Sequence, residues 1–111
     1  DVVVENTLNV KGNADVDGNL NVDGSLTVDG SVTLGDANTD TVTTTGKLVT
    51  ENGLVLTQFD TSTANYLAGL GIIDTGALGY ITDGDGGSAC LGVYDGSNWK
   101  RISFGANISS T

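Results

Sequence analysis

The sequence predicts an all-β fold: an elongated, trimeric, intertwined β-helix or β-prism shaft of hexapeptide repeats, with a small β-hairpin tip at the C-terminus. Three observations lead to this prediction. A six-residue repeat runs from residue 8 to 35, as LNVKGN, ADVDGN, LNVDGS, LTVDGS and VTLGD. Aromatic residues make up only 5% of 111 residues, so the large side chains that usually fill a core are scarce. Near the end, ACLGVYD and WKRISFG flank a loop around Gly96-Ser97, which is typical of a hairpin.

The hexapeptide repeat alternates between apolar and polar residues. Every odd position from Glu5 to Thr33 is polar or charged, whereas the even positions from Leu8 to Leu34 are apolar or Gly. Such alternation predicts an extended chain with one solvent-exposed face and one buried face. The predicted core positions of the shaft are Leu8, Val10, Val16, Leu20, Val22, Leu26, Val28, Val32 and Leu34.

The Asp-Gly pairs within the repeat also allow a meander of hairpins with two-residue turns. Residues that flank such a turn share a face, so Val22 would pair with Ser25 and mix apolar with polar side chains. A solenoid keeps the apolar face inward throughout, with each Gly at a corner where the chain bends. The pattern therefore favours the solenoid.

A solenoid made by one chain would be too short. It needs about 18 residues per coil, so residues 8–35 form fewer than the roughly three coils that such stacks require. Three chains wound together, each supplying one face of every layer, give about five layers and close the exposed strand edges. The sequence therefore predicts a homotrimer.

The chain divides into four predicted segments: the repeat shaft (1–35), an irregular continuation of it (36–57), a connector (58–74) and the β tip (75–111). Within the continuation, 41–45 and 48–57 have the composition of strands. The connector contains TSTANYLAGLG, which predicts a short helix capped by Thr61 or Ser62 and ended by Gly69 or Gly71.

The predicted hairpin has two different faces. Its register pairs Tyr94 with Trp99, Leu91 with Ile102 and Ala89 with Phe104. One face then carries Ala89, Leu91, Val93, Ile102 and Phe104, with Lys100 at the rim; the other carries Cys90, Gly92, Tyr94, Trp99, Arg101 and Ser103. Because an isolated hairpin is marginally stable, we expect the first, more apolar face to pack against symmetry-related copies.

Charge and composition exclude several functional classes. The net charge of −10 disfavours nucleic acid and anionic membranes as partners. No apolar run approaches the roughly 18 residues of a membrane span, and the start does not resemble a signal peptide. A start at Asp1 predicts a piece of a longer chain. A single Cys and the absence of His leave no internal disulfide, zinc site or Ser-His pair, so we expect neither an enzyme nor a cofactor.

Two groups of residues are candidate sites, each with a simpler interpretation. Asp83 and Asp85 offer oxygen ligands to calcium, although Asp-Gly is ordinary turn chemistry and the spacing is not that of an EF-hand. Tyr94, Trp99 and Arg101 suit contact with a sugar ring, or else they pack on a neighbouring chain. Cys90 is expected to be a small buried residue.

Two stretches resemble a known class of protein. LNVDGSLTVDGSVTLGD resembles the shafts of phage tail fibres and spikes. GYITDGDGGSACLGVYDGSNWKRISFGANISST is similar to the C-terminal ends of virion structural and fibre proteins of marine bacteriophages, especially those that infect cyanobacteria. The resemblance implies a homotrimeric tail or head fibre on the virion, bound to other virion proteins, with an outward tip that ends at Thr111 and presents a host-contact surface. It carries over no catalytic residues.

Two alternatives stay open. The tip could be a receptor-recognition module that binds a host surface glycan. The Leu-x-Val-x-Gly repeat also resembles that of bactofilins, which are bacterial β-solenoids that polymerise, so open filaments would replace closed trimers.

Overall fold

The computed structural model describes residues 1–109, and the chain divides into a unit Asp1–Leu34 and a second unit that begins at Gly35. Ser110 and Thr111, which belong to the predicted tip, lie outside the described residues. The regular elements are one open four-stranded sheet and one short helix, so the fold is mostly β. In the described part of the chain, no helix is long and apolar enough to cross a bilayer.

The repeat unit bends with the period of its sequence. Bends occur at Lys11-Gly12, Asp17-Gly18, Asp23-Gly24 and Asp29-Gly30, six residues apart, where the sequence predicts the corners. The hairpin meander is not formed, since the chain pairs no strands between residues 1 and 34. The nine predicted core positions are all exposed in the single chain, each by between 43% and 70%. The unit therefore contains no buried side chain of its own.

Residues 35–57 contain no strand, so the strands predicted at 41–45 and 48–57 are wrong for the single chain. A segment with strand composition forms a strand only where a neighbouring strand pairs with its backbone N–H and C=O groups. The single chain supplies no such neighbour for residues 35–57. The repeat ends in a local turn, in which Asp40 accepts hydrogen bonds from the backbone N–H groups of Asp36 at 2.8 Å and Ala37 at 3.1 Å. Both bonds lower the pKa of the Asp40 carboxyl, and the bond from Asp36 has the larger effect.

Helix α1 spans Thr61–Gly69 and confirms the predicted short helix. The N-cap is Asp60 and not Thr61 or Ser62, because Asp60 is extended and its carboxylate accepts from Thr63 N at 2.7 Å. Thr61 is already within the helix, and its hydroxyl donates to Asp83 at 2.8 Å. The helix stops where Gly71 takes a φ of +74°, a conformation that other residues rarely adopt.

The sheet has the order β1-β2-β3-β4, with β1 Gln58–Phe59, β2 Leu78–Asp85, β3 Ser88–Tyr94 and β4 Trp99–Ser103. Strand β1 runs parallel to β2, and the other neighbours are antiparallel. The predicted hairpin is β3–β4, and its register is confirmed for Tyr94 with Trp99 and for Leu91 with Ile102. Ladder pairing ends at Cys90 with Ser103, so the predicted pair of Ala89 with Phe104 does not form.

A second hairpin, β2–β3, turns at Gly86 and Gly87, whose φ values of +61° and +96° suit a two-residue turn. Its register shifts between Ile81 and Asp85, so β2 carries two more residues than β3 across this stretch. The bulge brings Gly84 over Cys90.

The core of the second unit lies between α1 and one face of the sheet. Ala64, Ile81 and Cys90 are buried there, and Phe59 and Trp99 pack against them. The prediction that Cys90 is a small buried residue is confirmed, since its thiol is free and the residue is 1% exposed. The opposite face of the sheet has no helix over it in the described chain.

Candidate functional site

The two faces of the sheet differ as the sequence predicts, because burial alternates along β3. We call the side that α1 covers the helix face; its strand residues include Gly79, Ile81, Cys90, Gly92, Tyr94, Trp99, Arg101 and Ser103. We call the other side the outer face; its residues include Leu78, Tyr80, Ala89, Leu91, Val93, Ile102 and Phe104, with Lys100 opposite Val93 at the rim.

The helix face carries glycines at positions where its larger side chains need room. A methyl group on Gly92 would lie 2.8 Å from Ile81 Cγ1, and one on Gly84 would lie 2.7 Å from Cys90 Sγ. Both distances are below van der Waals contact, so side chains at these two positions would displace the core. The glycines therefore let Ile81 fill the space under α1.

Trp99 fastens the helix to the sheet. Its indole N–H donates to the backbone oxygen of Ala64 at 3.0 Å. The centre of its ring lies 6.0 Å from the ring centre of Phe59 and 5.5 Å from that of Tyr94. Tyr94 is buried, at 9% exposure. Two of the three predicted ligand-contact residues thus pack within their own chain.

Arg101, the third predicted ligand-contact residue, is exposed and forms an ion pair with Asp85 at 3.1 Å. It lines a cavity of about 120 Å³ between α1 and β4, together with Thr61, Asn65 and Lys100 at the rim and Trp99 deeper in. The cavity is small beside typical ligand pockets of roughly 300–1,000 Å³.

The two metal candidates have protein partners. Asp83 Oδ1 accepts from the backbone N–H of Thr61 at 2.6 Å and from its hydroxyl at 2.8 Å. Asp85 pairs with Arg101. Within residues 1–109, no group of three or more acidic, His or Cys side chains is placed to hold a metal ion. The structure thus gives Asp83 a role in fixing the start of α1 to the bulge of β2.

The β3–β4 loop is closed by Asp95, whose carboxylate accepts from the backbone N–H groups of Ser97 at 2.9 Å and Asn98 at 2.7 Å. Both bonds lower the pKa of the Asp95 carboxyl, and the bond from Asn98 has the larger effect. The nearby charge of Lys100 lowers this pKa further. The loop fixes the hairpin register and with it the side on which each strand residue lies.

The outer face is apolar and uncovered. Leu78, Ile102 and Phe104 are each about half exposed, at 45%, 51% and 50%. Tyr80 and Phe104 are in contact, with their ring centres 5.8 Å apart and their planes tilted by 43°. Next to this face, Leu54 and Leu56 line a cavity of about 240 Å³ whose other walls include Tyr80 and Leu91. The apolar surface therefore continues from the strands onto the segment that precedes β1.

Comparisons of this chain with protein-family models, with curated proteins and with solved structures find no match.

The sequence did not reveal the strand β2 or the covering of the helix face by α1. The segment LGYITDGD contains two Gly and an Asp-Gly pair, which are turn signals. The available signal was the alternation of Gly79 and Ile81, which lie opposite Gly92 and Cys90, because glycines on one face of a strand pair leave room for a large buried side chain beside them.

Proposed function

We propose that this chain is a segment of a homotrimeric fibre of a bacteriophage virion, in the tail or the head, where it forms a rigid and non-catalytic appendage. The observation that carries the proposal is the exposure of all nine predicted core positions of the repeat in the single chain. A periodic apolar face without a covering layer needs a partner with the same period. Copies of the same chain meet that requirement.

The energetics support association. Covering a Val or Leu side chain that is about half exposed stabilises by about 1 kcal/mol, and the repeat presents nine of them. The backbone of residues 1–34 also lacks paired strands in the single chain. Wound with two copies, each chain gains both a core and a partner for its backbone groups.

The bends support a prism with the corners at the glycines. Gly12, Gly18, Gly24 and Gly30 have open space around them in the single chain, and none has a positive φ. Nothing within one chain therefore requires Gly at these positions. Close approach of neighbouring chains at each corner supplies the missing reason.

The placement on a virion rests on the resemblance of the repeat and of the C-terminal stretch to phage fibre proteins. In that setting the remaining contacts of the segment are with other virion proteins, and the tip presents the surface that meets the host. The acidic charge keeps such a particle surface soluble.

The deciding experiment is the mass of the protein in solution, measured by light scattering. One chain has a mass of 11.2 kDa. We expect three times this value for the wild type and for Ser25→Asp, which adds a charge on the polar face of the repeat. Val22→Asp places the same charge on the apolar face and should give the mass of one chain. A wild-type monomer would contradict the proposal, and open-ended filaments would favour a bactofilin-like solenoid.

A further inference from the structure

The outer face of the sheet is an apolar surface without an occupant in the single chain. Its exposed apolar residues include Leu78 and Ile102 in the strands and Phe104 directly after β4, and Leu54 and Val55 beside them are 64% and 86% exposed. Of the strand residues that the structure describes on this face, none is a carboxylate. The face is thus free of acidic side chains in a chain with a net charge of −10.

We infer that the outer face is a second subunit interface, in which the outer faces of three copies pack against one another. This inference rests on the proposed trimer and adds to it: the repeat is one contact region, and the sheet of the tip is a separate one.

The area of the face favours a copy of the chain over a foreign partner. A half-exposed large side chain offers roughly 100 Å², so five such residues offer on the order of 500 Å². Stable interfaces between free proteins bury about 800 Å² on each partner, so this face is too small to hold a separate protein. Copies that the repeat already holds together meet at an effective concentration on the order of millimolar, and a small apolar face then suffices.

The distribution of acidic side chains also favours another copy of the chain as the partner of the outer face. Chains with a net charge of −10 repel one another, and contact is favourable only where the carboxylates are absent. Two acidic side chains of the sheet, Asp83 and Asp85, are engaged by Thr61 and Arg101, and Arg101 lies on the other side of the sheet. Three outer faces can therefore approach without burying an acidic group.

Cysteine cross-linking of the full chain tests the inference with two adjacent residues on β4. Ile102→Cys places a thiol on the outer face, and Arg101→Cys places one on the opposite side; the two native side chains are similarly exposed. Wild type serves as the blank, because its Cys90 is buried. Under mild oxidation, with free thiols blocked before denaturation, we expect Ile102→Cys to form covalent dimers at least tenfold faster than Arg101→Cys.

The outcomes separate the inference from the proposed function. If both variants have the mass of a trimer and cross-link at the same slow rate, the outer faces do not meet and the inference is wrong, while the trimeric fibre stands. If the wild type and both variants have the mass of one chain, the proposed function fails and the interface fails with it. Unchanged Trp99 fluorescence in each variant shows that the tip has kept its fold.

Discussion

Gly92 lies so close to Ile81 that a methyl group on its Cα would be 2.8 Å from Ile81 Cγ1. Ile81 has little room to shift, because it is buried and Gly84 lies on its other side, where a methyl group would be 2.8 Å from Ile81 Cγ2. We therefore expect Gly92→Ala to destabilise the tip by about 1–3 kcal/mol, the usual effect of overpacking. Urea denaturation followed by the fluorescence of Trp99 measures this change.

Gly69→Ala is the matched control for that substitution. Gly69 lies in α1 with open space around its Cα and without a positive φ. Alanine is the better helix former there, so the same measurement should show stabilisation of up to about 1 kcal/mol. Equal effects of the two substitutions would contradict the packing described for Ile81.

The hydrogen bonds between Asp83 and Thr61 should matter more than the ion pair between Asp85 and Arg101. Asp83 accepts two bonds at the start of α1, and its removal leaves the first N–H of the helix without that partner. We expect Asp83→Ala to cost about 1 kcal/mol in the free energy of unfolding. Asp85→Ala, which removes a partly exposed ion pair, should cost roughly half as much or less.

Calcium provides a further check on these two residues. Because both carboxylates have protein partners, we expect no rise in the melting temperature of the wild type on addition of millimolar Ca²⁺. If Ca²⁺ raises the melting temperature of the wild type but not that of Asp83→Ala, the result would support the calcium site that the sequence allowed.

Acid should weaken the start of α1 through Asp60. The backbone N–H of Thr63 donates to this carboxylate and lowers its pKa below the ordinary value of 3.8. The folded state therefore binds the proton less readily than the unfolded state, so the contribution of Asp60 to stability is complete above pH 3.8 and is lost as the pH falls through the lower, folded-state pKa.

Asp60→Asn isolates that contribution, because Asn also caps helices but does not titrate. We expect the amide resonance of Thr63 in the wild type to shift with the titration of the carboxyl, and we expect no such shift in Asp60→Asn. A Thr63 resonance that moves equally in both proteins would show that another group is responsible.

The alternation of β3 and the register of the hairpin could be predicted from the sequence, because both depend on local geometry. Side chains alternate along any strand, and the Asp95-Gly96-Ser97-Asn98 loop fixes which residues are opposite each other. The helix was predictable for the same reason, although its cap was not: Asp60, Thr61 and Ser62 are all good N-cap residues, and only the hydrogen bond to Thr63 distinguishes them.

The choice of the covered face could not be read from hydrophobicity. The outer face carries the greater number of apolar residues, among them Ile102 and Phe104, yet α1 covers the face that holds Ile81, Cys90 and Trp99. The glycines of that face make room for the large side chains beneath α1, since a methyl group on Gly84 or Gly92 would lie 2.8 Å from Ile81. For the repeat, the sequence does not determine the number of chains in the assembly. The alternation of residues 8–34 predicts one buried apolar face but does not encode how many chains enclose it.

Gly24→Ala distinguishes a single chain from an assembled shaft by the sign of its effect. In the single chain a methyl group at Gly24 meets nothing within 4 Å and φ is not positive, so alanine should stabilise a monomer by about 0.4–1 kcal/mol. In a trimer with its corners at the glycines, the methyl group is forced against a neighbouring chain and should destabilise by about 1–3 kcal/mol per chain. Thermal unfolding followed by light scattering measures the change, with Gly105→Ala, which also has open space, as the control. We expect a lower melting temperature for Gly24→Ala alone, since only this glycine lies in the proposed shaft, and a higher one would contradict close approach of the chains at the corners.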